Sequence, residues 1–258
     1  MLLEEPRAAE DQQLDWDQKE MTFTEHLREL RNRLMICASV VAVIGIGMFY
    51  PSIFVIKWMS REYFPGITLH AFGPADAVGT MFRFSIYSAI VIGLPVILHQ
   101  AWMFIVPAVH PKTRRIVYKL LAPAVLLAAA GILFCHYIVI PVVIRGTTYL
   151  TNLIATETYG IGATLNFILI LFLAFALIFQ LPMVLIMLAR IGLVSSKLLR
   201  TYRRYAIMAA LLIGGVAAPD GQPTTMLLMA APLFILYEVS IWVILLLERS
   251  WQRESEYA

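Results

Sequence analysis

The amino-acid sequence predicts an all-α membrane protein with six transmembrane helices and both termini on the cytoplasmic side. Three observations carry this expectation. Apolar residues make up 60% of the 258, and mean hydropathy is +0.77, more than a water-soluble core requires. Acidic charge is segregated: nine of the 17 Asp and Glu residues fall in the first 33 positions, and long, nearly uncharged runs follow. Basic charge is segregated too. Of 20 Lys and Arg residues, five lie in the N-terminal segment, four between Lys112 and Lys119, five between Arg190 and Arg204, and two in the C-terminal tail. Only Lys57, Arg61, Arg83 and Arg145 remain for the opposite side and the membrane, so the positive-inside rule places both ends in the cytoplasm. The net charge of +3 is too small and scattered to argue for a nucleic-acid partner.

The elements follow in order. Residues 1–20 are polar and acidic, lack the features of a cleaved signal peptide, and read as disordered, so the first helix is expected to direct insertion. A capping box, Thr22-Phe-Thr-Glu25, opens a helix in which Phe23, Leu27, Leu30 and Leu34 share one face. That amphipathic helix, lying near the membrane surface, should lead into a first crossing over Leu34 to Ile56, about 34 Å long, that Pro51 ends or kinks. Uncharged runs Phe84 to Val109, Leu120 to Ile144 and Thr158 to Ala189 supply helices two, three and four. The fourth run, about 48 Å against roughly 30 Å of hydrocarbon, is expected to form one long, tilted helix. Tyr205 to Pro219 and Gly221 to Leu247 flank an Ala-Pro-Asp-Gly-Gln-Pro turn signal and should form a tight hairpin as helices five and six. The uncharged core of helix five covers only about 22 Å, short of the hydrocarbon thickness. Residues 21–250 thus read as one helical domain, followed by a tail over 251–258.

Catalytic chemistry is missing from this pattern. There is no zinc-protease His-Glu spacing, nucleophile elbow, phosphate loop or intramembrane carboxylate pair. Cys37 and Cys135 lie in apolar runs and read as small hydrophobes, and His99 and His136 read as structural residues, so neither metal nor cofactor is expected. What remains are polar groups in costly places: Asn166 and Gln180 in helix four, Glu238 in helix six, Asp220 at the outer turn and Glu29 beside the inner surface. Each has a structural alternative. Glu238 serves a packing ion pair equally well, Gln180 an interhelical hydrogen bond, and Glu29 an i,i+4 pair with Arg33 on a solvated face.

Two phrases break the tie: His26-Leu-Arg-Glu-Leu-Arg31-Asn-Arg-Leu34 before helix one, and Gly93-Leu-Pro-Val-Ile-Leu-His-Gln-Ala-Trp-Met-Phe-Ile-Val-Pro107 through helix two. Both resemble the TatC family, the receptor subunit of the twin-arginine protein translocase. Further matches run in order: Phe179-Gln-Leu-Pro182, Arg203-Arg-Tyr-Ala206, Ala218-Pro-Asp220 and Pro232-Leu-Phe-Ile-Leu-Tyr-Glu238. The resemblance implies a concave bundle with short fifth and sixth helices in the inner membrane of a prokaryote. It also implies a signal-peptide site of Glu29, His26, Arg31, Phe104 and Thr113, where two carboxylates would meet two guanidinium forks. Thr113 stands where the family's second carboxylate belongs. Gln180, Glu238, Asp220 and Pro95 are the implied partner-binding or intramembrane set, with Gln180 facing lipid on the concave side. The implied partners are twin-arginine signal peptides of folded cargo, TatA/TatB-type single-span subunits, the lipid bilayer and further copies of the chain, with transport driven by the protonmotive force. Milder departures are Val78, His99 and the single proline before Asp220. Two other readings stay open: a small-solute or ion transporter with Asn166, Gln180 and Glu238 along its pathway, and a TatC paralogue that no longer reads paired arginines.

Overall fold

The structure is a computed structural model that describes residues 23–105, 114–154, 158–217 and 223–256. Thr22, Thr113, Asp220 and the acidic segment over 1–20 therefore lie outside the described residues. The described residues are helical, and among them five helices are long and apolar enough to cross a membrane: Thr24–Met48, Asp76–Phe104, Ala122–Leu153, Ile161–Arg190 and Met226–Glu248.

The first helix, α1 (Phe23–Met48), takes the amphipathic segment and the crossing as one unbroken rod. It ends earlier than the uncharged run suggests. Pro51 has no N–H to give the carbonyl of residue 47, so the helix stops at Met48 and a separate helix, α2 (Ser52–Tyr63), begins. Ser52, Ile56, Met59 and Tyr63 form the buried stripe of α2, at spacings of four, three and four. Helix α3 (Asp76–Ile105) begins eight residues before the predicted start at Phe84. Asp76 explains the shift, because its Oδ2 accepts the backbone N–H groups of Phe72 at 2.8 Å and Gly73 at 2.9 Å. Pro95 lies within α3 without ending it.

Prolines reshape the next two crossings. Helix α4 (Arg114–Phe134) passes through a single π turn, Cys135–Val139, into α5 (Ile140–Ile154). Pro141 cannot donate to Tyr137, and the widened turn, with the Ile140 N–H on the Cys135 carbonyl, accommodates it. The fourth crossing is broken: α6 (Ile161–Ile178) and α7 (Leu181–Arg190) meet at Phe179 and Gln180, two residues before the next ring, Pro182. The fourth span remains long, Ile161–Arg190, but is interrupted by a turn at Phe179 and Gln180. A short α8 (Ser196–Thr201) is capped by the Ser195 hydroxyl, and Glu248 accepts the Ser196 N–H at 2.9 Å and its hydroxyl at 2.5 Å. Helix α9 (Arg203–Ala217) has 15 residues, as short as its sequence implies. Helix α10 (Pro223–Glu256) has 34, so the expectation of a short sixth helix is wrong. It continues through most of the stretch read as a tail.

Side-chain packing explains how these helices sit. Helix α1 packs along α3, α3 along α6, α6 along α4, and α7 and α9 along α10. One apolar cluster, including Tyr63, Phe84, Val139, Leu165, Phe175 and Met229, fills the end that holds α2. A second, including Trp102, Ala124, Met183, Met187, Ile241 and Ile244, fills the other end. The α9–α10 hairpin is tight because Gly214 lacks a side chain: a Cβ there would lie 2.6 Å from the Met226 carbonyl oxygen.

Candidate functional site

Helical geometry places His26, Glu29 and Arg33 along one side of α1, at spacings of three and four. That side meets the far end of α3. Arg33 donates to Glu29 Oε1 through Nε at 2.9 Å and also through Nη2, the fork that an arginine offers a carboxylate. Its Nη1 reaches across to Gln100 Oε1 at 3.1 Å. His26 stacks on Phe104 of α3, with ring centroids 4.2 Å apart and planes at 16°. Residues 67 and 78 positions apart in sequence thus join α1 to α3 at one end of the bundle.

Glu29 is the chemically unfinished member. Its side chain is 17% exposed, and its Oε1 is engaged by Arg33. Its Oε2 is buried, lies 3.9 Å from His26 Nδ1, and accepts no hydrogen bond among the described residues. A buried carboxylate oxygen without a donor costs about 1–3 kcal/mol. A donor delivered from outside removes that cost, and a cationic one strengthens the bond further. The arrangement suits capture of a guanidinium or ammonium group rather than catalysis.

The other sequence-predicted residues are distributed differently. Arg31 is exposed and points away from the His26–Glu29–Arg33 side. Pro95 is half-buried in mid-helix, next to Leu94, which packs with Ala128 and Ala176. Glu238 pairs across the hairpin with Arg203, Nη2 to Oε2 at 2.7 Å. Gln180 corrects the expectation that it faces lipid: it is 5% exposed and donates from Nε2 to the Ala124 carbonyl at 2.9 Å. The break between α6 and α7 turns it inward, where the polar amide can find a carbonyl. Cys135 is buried and Cys37 half-buried, and both are free thiols. Among the described residues no group of three or more potential metal ligands occurs.

Sequence reasoning missed Gln100. It stands in the quoted motif, yet nothing in the sequence ties it to Arg33, because only the α1–α3 packing brings them together. The pairing of Glu29 with Arg33 was legible from its i,i+4 spacing. Its partly buried position was not.

The fold is that of a helical membrane protein, and comparison with known proteins says of which family. The family model for "Sec-independent protein translocase protein (TatC)" matches residues 25–232. The chain is 36% identical over 230 residues to a protein of that name from Aquifex aeolicus, covering 86% of this chain and 94% of the relative. It is 32% identical over 238 residues to Sec-independent protein translocase protein TatCy of Bacillus subtilis, covering 92% and 93%. Two crystal structures of the twin-arginine translocase receptor TatC superpose with TM-scores of 0.75 and 0.77 at 33% identity, covering 86% and 85% of this chain and 99% of each of theirs. The chain belongs to the TatC family, and is therefore a protein-translocase component and not an enzyme.

Proposed function

We propose that this chain is the receptor subunit of a twin-arginine translocase and that Glu29 receives a guanidinium of the signal peptide. The observation that carries the reading is the buried Oε2 of Glu29, which accepts no hydrogen bond among the described residues, on a carboxylate held by Arg33 beside the stacked His26. A peptide guanidinium that reaches this oxygen, once the groups covering it give way, would gain a charge-assisted bond. Thr113, on the family position of a second carboxylate, is proposed to leave Glu29 as the principal anionic contact.

Orientation and helix count belong to the same proposal. The excess of basic residues on the Glu29 side supports a cytoplasmic N-terminus. With α9 as a short fifth crossing and α10 as the sixth, the C-terminus returns to that side. We infer a concave bundle, because α1 packs chiefly on α3 and α9 chiefly on α10. Single-span Tat subunits of the TatA/TatB type and further copies of the chain are the proposed partners, and the protonmotive force the proposed driving energy. Family membership sets aside the solute-transporter reading.

The test is site-specific photocrosslinking from positions 29 and 113 to a twin-arginine signal peptide in native membranes. Adducts at position 29 that disappear with a twin-lysine peptide are expected. Adducts that ignore the arginine pair would leave the divergent paralogue. A thiol-labelling map should find position 197 accessible from the cytoplasm and position 61 from the opposite side, and the reverse would overturn the orientation.

A further inference from the structure

At the end of the bundle opposite Glu29, α2 and the π turn enclose a cavity of about 440 Å³. Its polar lining comes from Glu62 and Tyr63 on α2, and from His136, Tyr137, Arg145 and Thr148 along the π turn and α5. His136 forms the inner wall. It hydrogen-bonds Tyr63, whose ring is buried, and stacks against Trp58 with centroids 5.7 Å apart. Burial, with the neighbouring Cys135 and Glu62, holds the Tyr63 phenol above its ordinary range, so it stays neutral and hydrogen-bonded.

Position along the helix fixes the depth. Counting about 1.5 Å per residue from Ala122, Arg145 lies roughly 35 Å along a crossing whose hydrocarbon thickness is about 30 Å. Arg145 and Thr148 therefore sit at headgroup level, while His136 reaches below it. Exposed Trp58 and Tyr137 give this rim the aromatic character of a membrane interface.

The two charges on the walls are of opposite sign, both exposed, and neither forms an ion pair among the described residues. Both line the cavity, Glu62 from α2 and Arg145 from α5. A simple anion would meet repulsion from Glu62, and a simple cation would meet it from Arg145. A zwitterion satisfies both walls at once, its phosphate on Arg145 with Thr148 as a hydroxyl donor, and its ammonium on Glu62. The carboxylate favours an ammonium that retains N–H donors, while the apolar residues Ile67 and Ile144 suit the attached glycerol backbone and acyl chains. We propose that this cavity binds the headgroup of a phosphatidylethanolamine-type lipid and so fixes α2 to the outer interface. This does not depend on the receptor reading, since it concerns a separate site and a separate ligand.

The experiment is native mass spectrometry of the full chain, purified with equimolar phosphatidylethanolamine, phosphatidylglycerol and phosphatidylcholine. Preferential retention of phosphatidylethanolamine is expected, with Glu62→Gln and Arg145→Gln each reducing it about fivefold, as suits exposed charge contacts. Both changes are at exposed positions, and an unchanged melting midpoint should confirm the fold. Ile144→Trp, which fills the cavity without altering charge, should also expel the lipid. Preference for phosphatidylglycerol, equal retention of all three, or a preference indifferent to every substitution would overturn the proposal. Displacement by soluble glycerophosphoethanolamine at equal concentration would do so too, since the ligand would then be a soluble phosphoester rather than a lipid.

Discussion

Replacing Glu29 by Gln tests the recognition chemistry most directly, because the amide keeps the shape and the Oε1 contact with Arg33 while removing the charge. In the wild type, Oε2 is a buried carboxylate oxygen with no hydrogen bond among the described residues. Delivery of a guanidinium to it forms one charge-assisted bond, worth about 1.5–3 kcal/mol and so about one to two decades of affinity. In the Gln variant, an NH₂ group facing the peptide cation turns attraction into a donor–donor clash. The fold should suffer less: Arg33 retains its bonds to Oε1 and to Gln100, and the weakened pair costs about 1 kcal/mol. The assay is fluorescence anisotropy of labelled twin-arginine and twin-lysine signal peptides with protein in nanodiscs at fixed salt, since screening changes such affinities. Wild type should prefer the arginine pair, and Glu29→Gln should lose at least tenfold for that peptide and most of the preference. Thr113→Glu should tighten binding, unless the new carboxylate pairs with Lys112, Arg114 or Arg115 beside it in the sequence. Equal binding of both peptides by all three proteins would refute the reasoning.

Further outcomes follow from the packing. Gly214→Ala would drive a methyl to 2.6 Å from the Met226 carbonyl, so α9 should separate from α10 and stability fall by about 1–3 kcal/mol in detergent unfolding; an unchanged midpoint would refute the close approach. Gln180→Leu should change stability by less than about 1 kcal/mol, because it removes one bond to Ala124 together with a buried Oε1 that has no partner among the described residues. A loss above 3 kcal/mol in the same assay would mean that the amide bridges more than this. The Tyr63 phenol, raised in the fold from its ordinary 10.0, contributes stability that is full below that pH and lost as pH climbs above it. Tyr63→Phe should flatten that alkaline decline in a pH series of thermal melts.

The sequence by itself determined that this chain is an apolar, helical membrane protein, roughly where its long helices lie, and that Glu29 and Arg33 are spaced to pair. Composition decides the first because hydrocarbon forces each crossing to satisfy its backbone internally, so long apolar runs must be helices. Spacing decides the last, since four residues is one helical turn. The prolines were legible as disturbances, but Pro51 ended a helix, Pro141 was absorbed by a π turn, Pro182 followed a break, and Pro95 passed almost unnoticed. Which outcome occurs depends on whether neighbouring helices repair the missing bond, and that is a tertiary property. The inward turn of Gln180 and the meeting of Arg33 with Gln100 and of His26 with Phe104 were likewise decided only by the fold. Helices such as α3 and α6 are apolar on nearly every side, so hydropathy cannot distinguish the face that meets protein from the face that meets lipid. Packing makes that choice, and it brings a carboxylate, a fork and an aromatic stack from two distant segments into one site.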